Sequence, residues 1–420
     1  MNAFNGPIRV SANGRHFVDA GGEPLFWLGD TAWPLFTRYT REEAEAYLSN
    51  RAAKGFTVIQ AGLAWPGGTG MEKPRPLPNH LGEEPWRDGN PAQPNEAFFT
   101  YVDDLLAFAA ELGLVLAVLP TWGYFVNDAR VINMGNARVY GRWLGERFRK
   151  TPNLVWMNGG DRSPLGFEDV YRELGRGLRE GDGGSHLITY HPCGWRSSSR
   201  FFHDDDWLDF NMCQTWSEWT RIYPFVQADF ARTPLKPVVM GEGAYENGPE
   251  YPLGPITPLV ARRQAWWTIL AGGFHTYGQN QIWRMEPGWQ ETFDTPGAES
   301  MAILARIVTG LHWWNFIPDQ TVIISGVGSE GALNAAVCSK DNDTILIYLS
   351  GRSTIFVNPD KIAARYARAT WHNPQTGETR DAGQHATGNR PDGLEPAPPS
   401  PHFTTPDFWE DAVLILTAVK

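Results

Sequence analysis

Short, fully apolar runs recur along the first three quarters of the chain. Between them lie longer segments whose apolar residues return every three to four positions. The short runs predict strands buried on both faces, and the periodic segments predict amphipathic helices. Strands are expected at 24–28, 57–61, 114–119, 154–157, 186–190, 208–214, 237–240 and 273–277, with helices at 41–54, 98–112, 136–150, 167–180, 223–232, 257–270 and 299–309. Strict alternation of this kind implies right-handed crossovers and a parallel sheet. About eight such units over 24–312 fit a closed (β/α)8 TIM barrel. An open doubly wound sheet is the alternative. Its G-x-G-x-x-G fingerprint would follow the first strand, where Gly29-Asp30-Thr31 stands instead.

Before the barrel, Asn13-Gly14 between 8–10 and 16–18 predicts a β-hairpin. After Phe316 the helical period disappears. Short apolar strands at 321–324, 335–338, 344–349, 354–357, 367–371 and 412–416, separated by turn residues, predict a small antiparallel β-sandwich. The expected domains are thus a hairpin packed on the barrel (1–23), the barrel (24–314) and the sandwich (315–420), in keeping with a 420-residue chain too long for one core. The Pro- and Gly-rich stretch 62–95 is long for a loop and is expected to wall a functional pocket. The Pro-rich stretch 390–401 is expected at the surface.

Formal net charge is −11, which argues against nucleic-acid or anionic-membrane partners. No apolar run approaches the ~20 residues of a membrane span. The opening residues have no basic or apolar signal region, so a cytoplasmic protein is expected unless the chain was trimmed. Cys193, Cys213 and Cys338 match neither a disulfide framework nor a zinc pattern. There is no P-loop and no G-x-S-x-G. The 19 Trp, 22 Phe and 13 Tyr are compatible either with a large aromatic core or with a carbohydrate groove.

Position along the strands adds chemistry. The run Leu154-Val155-Trp156-Met157 ends in Asn158-Gly159-Gly160-Asp161, and Val238-Val239-Met240 ends in Gly241-Glu242-Gly243. Each delivers a carboxylate beside glycines at the carboxyl end of a strand, where barrel active sites lie. Two carboxyl groups of unlike pKa are what glycosidic cleavage requires, one protonated and one ionised. Asp161 is expected as general acid/base and Glu242 as nucleophile; the bland alternatives are a helix N-cap and a structural ion pair. Asp30, Trp33, Gln60, Trp122, Asn158, His191, Gln214, Trp216 and Tyr277 complete the rim as candidate sugar contacts. For the three tryptophans core packing competes with a sugar platform, and for His191 a structural role does. Glu218, Glu246 and the run Asp204-Asp205-Asp206 read as solvated loop charges, and Trp266 and Trp267 as core. The implied partner is an oligosaccharide or glycoside. Neither oligomeric state nor the sugar's identity is legible.

At this point the chain resembles a known family. The segment Gly22-Glu23-Pro24-Leu25-Phe26-Trp27-Leu28-Gly29-Asp30-Thr31-Ala32-Trp33, the Asn158–Asp161 turn and the Gly-Glu-Gly turn at 241–243 are similar to the apiosidase-like glycoside hydrolases, family 140. Trp371-His372-Asn373-Pro374-Gln375-Thr376-Gly377 and the strand at 411–416 resemble the module labelled collagen-binding. No H-E-x-x-H accompanies that label, which disfavours a zinc protease. The resemblance implies a (β/α)8 catalytic domain, a C-terminal β-sandwich, no cofactor, catalytic groups at Asp161 and Glu242, and action on plant-glycan side chains such as apiose. The expected chemistry is exo-acting and retaining, with the carboxyl groups ~5–6 Å apart. A transglycosylase and a non-catalytic glycan-binding barrel are the alternatives. The sandwich is expected to buttress the barrel rather than bind sugar.

Overall fold

The computed structural model describes residues 5–66, 75–249, 251–252, 254–388 and 400–419. Residues 67–74 of the 62–95 loop and most of the 390–401 loop lie outside these residues. Strands β1 (Arg9–Val10), β2 (Phe17–Val18) and β3 (Pro24–Leu25) pair antiparallel in one small sheet. The side chain of Asn13 accepts from Ser11 Oγ and the Arg15 amide, holding the turn at Gly14. The apolar run at 24–28 is therefore shared. Its first two residues belong to the N-terminal sheet, and the first barrel strand starts at Leu28.

The barrel strands are β4 (Leu28–Thr31), β5 (Val58–Gly62), β6 (Val115–Leu119), β7 (Leu154–Gly159) and β8 (Ile188–His191). After the short β9 (Arg196–Ser197) follow β10 (Asn211–Gln214), β11 (Val238–Glu242) and β12 (Phe274–Thr276). The sheet runs β8-β7-β6-β5-β4-β12-β11-β10, with β9 antiparallel on β10; every other neighbour pair is parallel. Across the seam between β8 and β10, the Asp209 amide donates to Ile188 O at 2.8 Å and Thr189 Oγ1 to Phe210 O at 2.7 Å. These bonds draw the sheet into a ring. All eight barrel strands are buried along their whole length. Helices cover one face and inward side chains fill the other.

The helices are α1 (Arg41–Ala53), α2 (Glu96–Glu111), the short α3 (Tyr124–Asn127), α4 (Ala137–Phe148), α5 (Glu168–Asp182), the short α6 (Ser199–Phe202), α7 (Ile222–Phe230), α8 (Pro258–Leu270), the short α9 (Asn280–Arg284) and α10 (Pro296–Thr309). Their starts follow from sequence chemistry. Thr40 and Glu43 form a reciprocal capping box on α1, and Thr257 caps α8 ahead of Pro258. Among the described residues no helix is long and apolar enough to cross a membrane.

The C-terminal region contains β13 (Phe316–Pro318), β14 (Ile323–Ser325), β15 (Ala335–Ser339), β16 (Thr344–Leu349), β17 (Thr354–Val357), β18 (Tyr366–His372), β19 (Thr379–Ala386), β20 (His402–Thr404) and β21 (Ala412–Ala418). An antiparallel sheet β13-β15-β16-β21-β18-β19 faces a smaller one, β14-β17-β20. Ile345, Ile347, Ile355, Val357, Leu414 and Leu416 form part of the core between them. The alternate residues Leu346, Tyr348, Val413 and Ile415 join the barrel's own core. Period-2 alternation thus puts two buried faces on one sheet. Trp266 and Trp267 on α8 are buried, Trp266 stacking on Tyr348 at 5.7 Å between ring centroids.

Candidate active site

Asp161 is brought to the barrel mouth by an unusual turn. β7 ends at Gly159, and Gly159, Gly160 and Asp161 all have positive φ: 94°, 106° and 51°. Side-chain-bearing residues rarely adopt this conformation, Asp being among the more tolerant. Space makes the same demand. A Cβ on Gly159 would lie 2.3 Å from His191 O, and one on Gly160 would lie 2.9 Å from the Trp122 ring. The turn is tied down by Gly160 N to His191 O (3.0 Å) and Gly123 N to Gly160 O (3.1 Å).

Glu242 is aimed by a β-bulge. Cys213 pairs with Met240 and Gln214 with Glu242, leaving Gly241 as the extra residue. Such a bulge re-aims the side chain that follows it. A Cβ on Gly241 would lie 2.5 Å from Met212 Sδ. Gln60, reaching across the barrel from β5, donates from Nε2 to Gly241 O at 2.7 Å.

The two carboxylates line one cavity of about 420 Å³. Trp33, Trp65 and Trp122 form one wall: Trp33 and Trp65 are nearly parallel (8°), and Trp122 meets both at steep angles. Tyr245, Trp283 and Arg284 form another wall, with the Trp33 indole donating to Tyr245 Oη at 2.9 Å. Trp216, 43% exposed, stands at the mouth with Tyr251 beside it, and Arg162 follows the acidic turn. Gln214 Nε2 donates to Asp161 Oδ1 at 2.8 Å. An oxygen of Asp161, an oxygen of Glu242 and a ring nitrogen of His191 all lie within 4.8 Å of one another.

The electrostatics separate the two acids. Burial, then the neighbouring Glu242 charge, push the Asp161 carboxyl up from 3.8 to about 7; His191 and the Gln214 bond oppose this. Burial also lowers the His191 imidazole from its ordinary 6.5, an effect that the Asp161 charge opposes. Near neutrality Asp161 therefore keeps its proton for a substantial fraction of the time, as a general acid must. The Asp161, His191 and Glu242 atoms are also of the types that ligate divalent cations. Among the described residues no other such group occurs. The two walls and the mouth, however, present aromatic faces suited to a ring rather than an ion's shell of oxygens.

Five expected sugar contacts are placed elsewhere. Asp30 lies within β4 rather than at its end, so alternation turns its side chain outward to the helix layer. There it is fully buried, ion-paired with Arg51 Nε at 2.5 Å and accepting from Tyr47 Oη at 2.7 Å. Asn158 faces outward on β7 by the same rule and donates to Tyr171 O at 2.8 Å. Gln60 is sealed beneath the cavity, holding the bulge. Tyr277 is buried and donates to Glu246, with Thr295 Oγ1 at 3.1 Å. His191 is buried behind the cavity wall, its Nε2 3.2 Å from Glu242 Oε2 and its ring edge-on to Trp33 at 5.1 Å. It adjoins a carboxylate and does not line the cavity. Glu246 is likewise no solvated loop charge. It is buried, and it accepts from the Gly297 amide at 3.0 Å and Thr295 Oγ1 at 2.8 Å.

Trp33, Trp122, Gln214 and Trp216 do line the cavity. Sequence reasoning missed Trp65, Tyr245, Tyr251, Trp283, Arg162 and Arg284. Each lies in the loop that follows a barrel strand or on the short helix after β12. An aromatic search widened from strand ends to whole βα loops would have found most of them.

Fold and cavity together place the molecule among enzymes that cleave glycosidic bonds. Solved structures agree. A glycoside hydrolase family 5 protein from Bacteroides vulgatus is 25% identical, with 99% of this chain and 94% of that one covered at a TM-score of 0.88. A second structure, described as a glycoside hydrolase, is 26% identical over 99% and 97%, with a TM-score of 0.87. A search of curated proteins finds no match. The protein is a glycoside hydrolase. More narrowly, residues 11–315 match the apiosidase-like catalytic domain, and the chain belongs to that family. Residues 317–417 match a domain described as collagen-binding, from a collagenase.

Proposed function

We propose that this enzyme removes a terminal sugar, an apiose-like furanoside or a related plant-glycan residue, with retention of anomeric configuration. The supporting observation is the pair Asp161 and Glu242: oxygens within 4.8 Å, in one aromatic cavity, with the Asp161 carboxyl held near 7. Retaining enzymes hold their carboxyl groups ~5–5.5 Å apart, and inverting ones ~6.5–9.5 Å to admit a water. Glu242 attacks the anomeric carbon while Asp161 gives its proton to the departing oxygen. Asp161, now ionised, takes a proton from water, whose oxygen displaces Glu242 from the sugar. The cavity is near the small end of the ~300–1,000 Å³ common for ligand sites, which favours a chain end over a polymer threading through. Trp33 and Trp122 offer apolar faces to the ring held there, and Trp216 offers one at the mouth.

The test is a panel of nitrophenyl furanosides and pyranosides, with NMR detection of the first anomer released. Expected are turnover on at least one compound, initial release of the substrate's own anomer, loss of about 10³-fold or more in kcat for Glu242→Gln, and no effect of a chelator. Release of the opposite anomer would overturn retention. A chelator-sensitive rate would move the carboxylate–histidine group to metal chemistry.

A further inference from the structure

Helix α8 has two faces with different attachments. On the barrel side, the Gln264 amide grips the peptide two residues past Glu242: Oε1 accepts from Ala244 N at 2.8 Å and Nε2 donates to Ala244 O at 3.0 Å. Gly243 lies so close that a Cβ there would be 2.5 Å from Gln264 Oε1. On the other side, two residues away and so roughly opposite on the helix, Arg262 is buried against the C-terminal sandwich. Its Nε and Nη2 fork onto Asp411, at 2.9 and 3.0 Å for the shorter contacts, and Tyr348 Oη donates to the same carboxylate at 2.7 Å. Arg263 Nε donates to Ser350 O at 2.8 Å and the Trp267 indole to Leu333 O at 2.9 Å.

A buried, forked ion pair is a poor source of net stability, because both charges give up water. What it supplies is a fixed angle and distance between the two groups it joins. We infer that the C-terminal sandwich is a positioning element for the catalytic carboxylate: Asp411 fixes Arg262 and with it α8, and Gln264 on that helix fixes the backbone that carries Glu242. The inference rests on Glu242 as nucleophile. It assigns the sandwich a part in the reaction of the same chain, and it names Gln264, Arg262 and Asp411 as positioning residues that never touch substrate.

The experiment uses the full-length protein and the variants Gln264→Ala, Gln264→Glu, Asp411→Asn and Gln264→Ala/Asp411→Asn. The readouts are kcat and KM per folded molecule on an aryl glycoside that the wild type turns over, and the rate constant for covalent trapping by its 2-fluoro analogue at saturation. A trapping rate constant does not change when a fraction of the protein is unfolded, so a purely structural defect leaves it unmoved. Misplacing a reacting group by about 1 Å costs on the order of 100-fold. Expected are a fall of about 10- to 100-fold in kcat and trapping for Gln264→Ala at unchanged KM, and a smaller fall for Gln264→Glu, which keeps the acceptor. Asp411→Asn should fall about tenfold, and the double variant should be no slower than Gln264→Ala alone. Wild-type rates per folded molecule in Asp411→Asn, or losses that multiply in the double variant, overturn the inference. If the wild type turns over but is not trapped on Glu242, the nucleophile assignment fails, and the kcat comparison still decides whether the sandwich acts on the site.

Discussion

Replacing Asp161 by Asn should stabilise the protein above neutral pH while abolishing its activity. The folded state holds this carboxyl near 7, against the ordinary 3.8, by burying it beside Glu242. A raised carboxyl pKa means that the native state binds the proton more tightly than the unfolded chain does. The native state is therefore unpenalised below about pH 4. It loses stability as pH climbs from there to about 7, and carries the full cost above. At ~1.4 kcal/mol per pH unit, the interval corresponds to at most ~4 kcal/mol. Solvent in the cavity reaches the ionised group, so ~1–3 kcal/mol is the better figure. Asn removes the charge but keeps an oxygen for the Gln214 amide. The assay is thermal unfolding of both proteins at pH 4.5, 6 and 8. With ~2–4 °C per kcal/mol for domains of ~150–250 residues, and less for a larger one, Asp161→Asn should gain about 1–5 °C at pH 8 and about a quarter to a half of that at pH 4.5. An equal gain at all three pH values, or a loss at pH 8, would refute a burdened ionised Asp161. It would also remove the electrostatic reason for calling that residue the acid.

Three further outcomes follow from the same geometry. Gln214→Leu deletes a bond that favours ionised Asp161, so the alkaline limb of kcat/KM should move to higher pH by up to ~1 unit, read from pH–rate profiles between pH 4 and 9; a shift toward acid would contradict the assignment. Asp30→Asn leaves Arg51 buried without its counter-ion and should cost ~3–5 kcal/mol in urea unfolding, with KM per folded molecule unchanged. Gly160→Ala forces a Cβ to 2.9 Å from the Trp122 ring at a φ of 106°, and should lower kcat by at least ~100-fold while circular dichroism still reports a folded barrel.

Element type and order were readable because apolar periodicity follows local geometry. A strand buried on both faces has to be apolar throughout, and a covering helix has to repeat every three to four residues. The strand-end carboxylates were readable for a related reason. A glycine pair before Asp161 and glycines on both sides of Glu242 announce backbone that side chains would obstruct, and the fold places both at one mouth. The amphipathic sandwich strands were legible as strands. That one of their sheets would bury both faces, with Arg262 and Asp411 paired 149 residues apart, was not.

What only the tertiary structure decided is which way each polar side chain points. Asp30 and Asn158 stand near strand ends in sequence, yet one residue of register turns each to the helix layer, because a strand's period is 2. Gln60 and His191 do point inward, but they sit below the cavity, one holding the bulge and the other touching Glu242. Proton affinity likewise belongs to the assembled site. Nothing local to Asp161 raises its pKa; burial and a carboxylate 81 positions away do. Sequence alone specified a barrel with two acids at its mouth. Distance and desolvation, which exist only once the strands have closed into a ring, made those two acids different from each other.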